Sequence, residues 1–161
     1  NKGAFTRFYG DANSQIGFIT WGSTEGAMQE AIDLAAQQGL DASMLHVLLL
    51  NPLPENELRQ FIAGKKYIVV AELNYSGQFA QRLRAALNIP VDSFTKCTGQ
   101  PFMPTELLKH IMTLHGWDGE QSDPVLTQIA SVQHQRQIPT PTPGHEGQDE
   151  AMAGAVAVTR I

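Results

Sequence analysis

Short apolar runs with few charges alternate with amphipathic stretches along most of this 161-residue chain, and only short connections separate them. Ile16 to Trp21, Met44 to Leu50 and Lys66 to Ala71 read as strands buried on both faces. Between them, apolar residues recur at three- and four-residue spacing, which is the helical period. Ala27, Ala31, Leu34 and Ala35 mark one such stretch, from Thr24 to Gly39. Leu58, Phe61 and Ile62 follow Pro54, and Phe79, Leu83 and Leu87 mark a third. Ala4 to Tyr9 adds a short edge strand, closed by the turn formers Gly10, Asp11, Asn13 and Ser14. Val91 to Lys96 adds another strand, and Pro104 opens a last helix through Leu107, Leu108 and Ile111. Strands and helices that alternate through short links build an α/β domain around a mostly parallel sheet.

The remainder of the chain differs in kind. Asp123 to Gln135 carries weak apolar periodicity and predicts one more helix, while the prolines of Ile138 to Gly144 remove backbone donors and forbid regular helix or interior strand. Small residues dominate from Gly144 to Ile161. The expected organisation is an α/β domain over 1–120, a C-terminal helix over 121–136 and a flexible Pro-rich tail over 137–161. A first residue of Asn1 rather than Met reads as a fragment or a processed product.

Charged residues make up 17% of the chain, against roughly 25% in an average soluble protein, so part of the surface is expected to be covered by something else. The net charge of −5 offers no basic field to a phosphate backbone, which argues against nucleic acid. No apolar run approaches the ~20 residues that span a bilayer. Cys97 is the only cysteine; it can form no internal disulfide and cannot by itself hold a zinc ion or an iron–sulfur cluster. A reducing, cytoplasmic setting follows.

In open parallel sheets, ligands and partners collect at the carboxyl ends of the strands. Gly22, Ser23, Thr24 and Glu25 follow one strand and read either as an anion-accepting turn or as a plain helix cap. Glu72, Asn74, Gly77 and Gln78 belong to the richest polar cluster of the chain. A carboxylate directly after a buried strand needs partners: Glu72 meets a ligand or a neighbouring subunit, or else Asn74 and Ser76 simply turn the chain and cap the next helix. Lys96, at the end of the last strand, meets an anion or is solvated. No catalytic residue and no metal ligand set is identified, and cofactor-binding residues remain unassigned. Gly10-Asp11 with Asn13 matches the opening of a thiamine diphosphate motif but lacks the later Asn pair. His110 and His115 lie five apart and do not share a helix face.

Four segments in order carry a resemblance: Ile19 to Gly26, Leu50 to Pro54, Val70 to Gln78, and Lys96 to Phe102. Over about Phe5 to Ile111 the series resembles the α subunit of 2-oxoacid:ferredoxin oxidoreductases, most closely the 2-oxoglutarate type, in its transketolase C-terminal-like part. The resemblance implies a three-layer α/β/α sandwich with a five-stranded mixed, mostly parallel sheet in the order 1-3-2-4-5, strand 1 antiparallel. Gly22 to Glu25 and Glu72 to Gln78 would then face one crevice at the topological switch. It further implies a complete enzyme that uses thiamine diphosphate with magnesium, iron–sulfur clusters, ferredoxin and coenzyme A to turn a 2-oxoacid into an acyl-coenzyme A. None of these cofactors is expected in this chain, whose partners would be the β subunit and the remaining α-subunit domains, and whose role would be structural. The alternative is a free-standing α/β module that binds a small ligand or nucleotide in the crevice.

Overall fold

The structure, a computed structural model, describes residues 5–116. The chain forms β1 (Thr6–Gly10), β2 (Ile16–Trp21), a 3₁₀ turn (Gly22–Thr24), α1 (Glu25–Gln37), β3 (Ser43–Val47) and α2 (Glu55–Ile62). It continues through β4 (Tyr67–Glu72), α3 (Gln78–Leu87), β5 (Asp92–Thr95) and α4 (Pro104–Leu114). The strands make one sheet in the order β1-β3-β2-β4-β5, with β1 antiparallel to β3 and every other pair parallel. That is the expected topology. The helix expected over 121–136 and the tail expected over 137–161 lie outside the described residues.

Strand side chains alternate between faces, and the two faces of this sheet collect separate cores. Phe18, Met44, Val69 and Ala71 meet Met28, Ala31, Ile32 and Ala35 of α1 and Leu107, Leu108 and Ile111 of α4. Ile19, Leu45, Val47, Ile68 and Val70 meet Leu58 and Phe61 of α2 and Phe79, Ala80, Leu83 and Leu87 of α3. The result is three layers, with α1 and α4 on one side and α2 and α3 on the other. The buried stripe of α1 runs through Met28 and Ile32, so the sequence-predicted Ala27 and Leu34 sit at its half-buried margins.

Strand boundaries moved where neighbours run out. β3 was expected to reach Leu50 but ends at Val47, because Val47 is the last residue paired both with Thr6 of β1 and with Trp21 of β2. Leu48, with no strand beside it, is exposed. β5 is shorter than the expected Val91 to Lys96: Val91 joins the core under α3 instead of the ladder. β4 runs one residue further than expected and includes Glu72. α4 covers the short edge strand through a ring stack, in which Phe94 lies 4.4 Å from the His110 ring at 6° and 5.2 Å from Phe102. Burial pushes the His110 imidazole below its ordinary range, against the opposing pull of Asp92.

Candidate functional site

β2 and β4 are neighbours, with Thr20 paired to Ala71, but the chain leaves them toward opposite faces: α1 covers one side and α3 the other. The two β–α connections therefore start from adjacent positions at the carboxyl end of the sheet, which is the switch point where such folds place their contacts. Trp21 bridges them by packing edge-on against Phe79, with ring centroids 6.3 Å apart. Its indole Nε1 is buried and has no acceptor among the described residues.

At the β4 end, Glu72 is 1% exposed, and its carboxylate is occupied within the domain. Oε2 accepts from the backbone N–H of Phe79 at 2.9 Å and from Asn74 Nδ2 at 2.6 Å; Oε1 accepts from the N–H of Ala80 at 3.1 Å. Asn74 Oδ1 accepts from the N–H groups of Gly77 and Gln78, at 2.7 and 3.2 Å. The first N–H groups of a helix lack intrahelical partners and carry the positive end of its dipole, so a carboxylate set beneath them is stabilised and stabilising. Gly77 makes this turn with a φ of +65°, and a Cβ there would stand 2.6 Å from Ser93 Oγ. Only glycine meets both conditions.

The β2 end is built differently. Gly22 has a φ of +63°, Ser23 is exposed, and Thr24 is buried but makes no side-chain bond to the helix that follows. Glu25 turns instead to neighbouring strands. Its carboxylate lies 3.2 Å from Arg7 Nη1 and 3.6 Å from His46 Nε2, and His46 Nδ1 lies 3.0 Å from Thr20 Oγ1. Burial pushes the His46 imidazole below its ordinary range; Glu25 opposes that shift and Arg7 adds to it. Hydroxyl, imidazole and carboxylate in series form the set used by hydrolytic triads. Here Thr20 is 0% and His46 3% exposed, so no substrate reaches the hydroxyl and the series acts as an internal brace. Sequence reasoning missed Thr20, His46 and Arg7. The available signal was a lone polar residue inside each of two apolar runs, and only the register shows that these two residues face each other.

Lys96 points away from the crevice. Its ammonium donates to both oxygens of Glu106, at 2.8 and 2.7 Å, and to the Pro101 carbonyl at 2.9 Å. Glu106 also accepts from the Met103 N–H at 2.7 Å. Burial raises the Glu106 carboxyl, but the Lys96 hydrogen bond, the Met103 N–H and the Lys96 charge outweigh it and hold the group below its ordinary range. Two open depressions of about 340 and 410 Å³ lie beside β1, one against α2 and one against α1. Neither includes a residue of the crevice connections. Among the described residues, no three His, Cys, Asp or Glu side chains converge where a metal ion would sit, and Cys97 is exposed and free.

Residues 14–107, more than half of the chain and all four parallel strands, match the family model of pyruvate:ferredoxin oxidoreductase core domain II. The chain belongs to that family. The core domain II relatives include the 2-oxoacid:ferredoxin oxidoreductase subunit alpha of Saccharolobus solfataricus, 32% identical over 104 residues that make up 64% of this chain and 16% of that protein. The 2-oxoglutarate oxidoreductase subunit KorA of Mycobacterium tuberculosis is 36% identical over 102 residues, 63% of this chain and 15% of that protein. Among solved structures, the 2-oxoglutarate:ferredoxin oxidoreductase from Magnetococcus marinus, with 2-oxoglutarate, coenzyme A and succinyl-CoA bound, superposes with a TM-score of 0.64 at 31% identity, over 67% of this chain and 19% of that one. The matched part thus spans about 16% of the length of the curated relatives.

Proposed function

We propose that this chain is a domain of the α subunit of a 2-oxoacid:ferredoxin oxidoreductase, of the 2-oxoglutarate type, and that it serves the enzyme as a packing and interface domain with no chemistry of its own. The family match over all four parallel strands carries the reading, and the similarity to oxidoreductases named for 2-oxoglutarate supports the substrate class. The whole enzyme, placed in the cytoplasm, would work with a β subunit and ferredoxin, and would convert the 2-oxoacid and coenzyme A to an acyl-coenzyme A.

In such an enzyme, thiamine diphosphate with magnesium supplies the decarboxylation chemistry and iron–sulfur clusters carry the electrons. The residues of this chain do not fit either group. A cluster takes several thiolates where the chain has Cys97 alone, and the carboxylates at the crevice, Glu72 and Glu25, are already engaged by backbone N–H groups and by Arg7. In this reading, Gly22, Ser23, Thr24, Glu25, Glu72, Asn74, Gly77, Gln78 and Lys96 shape and stiffen the connections that face the rest of the enzyme.

The test is a reconstitution. The full α subunit carrying this sequence should co-purify with its β subunit and reduce ferredoxin in the presence of 2-oxoglutarate and coenzyme A. The 161-residue chain alone, titrated calorimetrically with magnesium thiamine diphosphate, should give no binding heat and no turnover. Tight magnesium-dependent binding to this chain would overturn the proposal.

A further inference from the structure

The two edges of the sheet are protected unequally. β5 is four residues long, opens on the exposed Asp92 and is backed by the ring stack with α4. Short, charged edges of that kind resist pairing with another strand. β1 lacks these devices: it holds no Pro or Lys, and its one charged side chain, Arg7, is turned onto Glu25. The ladder shows which of its backbone groups face away. The Phe5 carbonyl accepts from the Leu48 N–H at 2.9 Å, and the Asp11 N–H donates to the Ala42 carbonyl at 3.1 Å. Bonded and unbonded residues alternate along an antiparallel pair, so Arg7 and Tyr9 bond to β3 as well. The N–H and C=O groups of Thr6, Phe8 and Gly10 therefore point outward, and among the described residues no strand lies on that side.

This edge is also flanked by space. The depression of about 340 Å³ on the α2 side is lined by Phe8, Phe61 and Glu57, and that of about 410 Å³ on the α1 side by Tyr9, Ile32 and Ala36. Phe8 packs edge-on against Phe61, with ring centroids 6.3 Å apart, and is still 49% exposed. Side chains of a strand alternate between faces, so one added here would fill both depressions at once.

We propose that the chain covers this edge itself, with Ala155, Val156, Ala157, Val158 and Thr159 added to β1 as a sixth strand. Beyond Gly116, this is the run that alternates β-branched with small residues and contains no Pro. Val156 and Val158 fall on one face, with Arg160 next on that face, and Ala155, Ala157 and Thr159 fall on the other. With the valines on the α2 side, they meet Phe8 and Phe61, and Arg160 meets the acidic Glu57. The tether favours this occupant over a separate chain. His115 Nε2 lies 2.9 Å from the Asp41 carbonyl, and the neighbouring Ala42 is bonded to Asp11, so the described residues stop at Gly116 beside the Gly10 end of β1. Residues 117–154 join that point to the run. Such a link supplies a local concentration on the order of millimolar, which a separate partner lacks.

Two readouts test this on the natural full-length protein that carries the sequence, purified with whatever it assembles with. In the first, the photo-crosslinker p-benzoylphenylalanine replaces Phe8 or, as a control, the exposed Ala86 of α3, and adducts are mapped by peptide mass spectrometry. Adducts from position 8 to the peptide holding residues 155–161, within one chain and absent from position 86, are expected. Adducts to a second copy, to another subunit or to other residues of the same chain would overturn the assignment, as would none above the control. The second readout needs no change in the domain: hydrogen exchange at single-residue resolution, with and without the pair Ala157→Pro and Val158→Pro. The Phe8 and Gly10 amides should exchange at least about tenfold faster in the variant, while those of Arg7 and Tyr9, bonded to β3, stay as they were. Equal exchange at Phe8 and Gly10 in the two proteins would overturn the sixth strand.

Discussion

The two helix N-termini that flank the switch point solve one problem in opposite ways. α3 is capped by the protein's own buried carboxylate: Glu72 accepts from two of its first N–H groups, and Asn74 organises the turn between them. α1 starts without any side-chain bond from Thr24, and its acidic first residue spends its charge sideways on His46 and Arg7. The β4 end is therefore held by hydrogen bonds to backbone that ties sheet to helix. The β2 end is held by side chains that bond to one another across strands. Equivalent topological positions need not carry equivalent chemistry.

The largest test of that contrast is Glu72→Ala. It leaves the N–H groups of Phe79 and Ala80 buried without acceptors, and should lower folding stability by about 3 kcal/mol, read as a shift in the urea midpoint at constant m-value. A loss below 1 kcal/mol would mean that the carboxylate is not the cap of α3. Next in size, Asn74→Ala should cost on the order of 1 kcal/mol, as a lost cap does, while Glu72 keeps its bonds to Phe79 and Ala80.

A smaller effect concerns acid. His46 and His110 both have folded values lowered from the ordinary 6.5, so the unfolded chain binds protons more readily than the folded one. Their contribution to stability is complete above about pH 6.5 and is lost as pH falls through the lowered folded values. Urea midpoints measured from pH 7.5 down to 5 should fall. In His46→Gln the slope should flatten by the His46 share and leave that of His110; an unchanged slope would remove His46 from the account. The smallest effect belongs to Thr24→Val, which preserves shape and removes no side-chain cap. Its stability, read from the urea midpoint at constant m-value, should stay within about 0.5 kcal/mol of the parent, because the buried Thr24 hydroxyl caps nothing. A larger loss would show that the α1 terminus is capped after all.

Much of this contrast lies below what a sequence displays. The alternation of periods predicts the strands and helices, and a carboxylate set directly after an apolar strand singles out Glu72, because burying it demands partners. Whether those partners are inside or outside the domain depends on where the helix terminus lands, and no local pattern states that. Leu48 to Leu50 continue an apolar run, so nothing local ends β3 at Val47; the shortness of its neighbours does. Thr20 and His46 are far apart in sequence and become a pair only through parallel register. The strand order itself came from family resemblance, since periodicity alone is silent on which strands are adjacent.

The positions of Phe5 and His115 have a mechanical meaning. Phe5 lies beside Leu48, and His115 Nε2 lies 2.9 Å from the Asp41 carbonyl. Those two points bracket β3, and at ~3.3 Å per residue they lie about 23 Å apart along its axis. A pull applied between them would drag β1 lengthwise along β3, and the hydrogen bonds of an antiparallel pair stand perpendicular to that pull. The load is then shared by the ladder from Thr6 to Gly10 at once, in shear, instead of opening it one rung at a time.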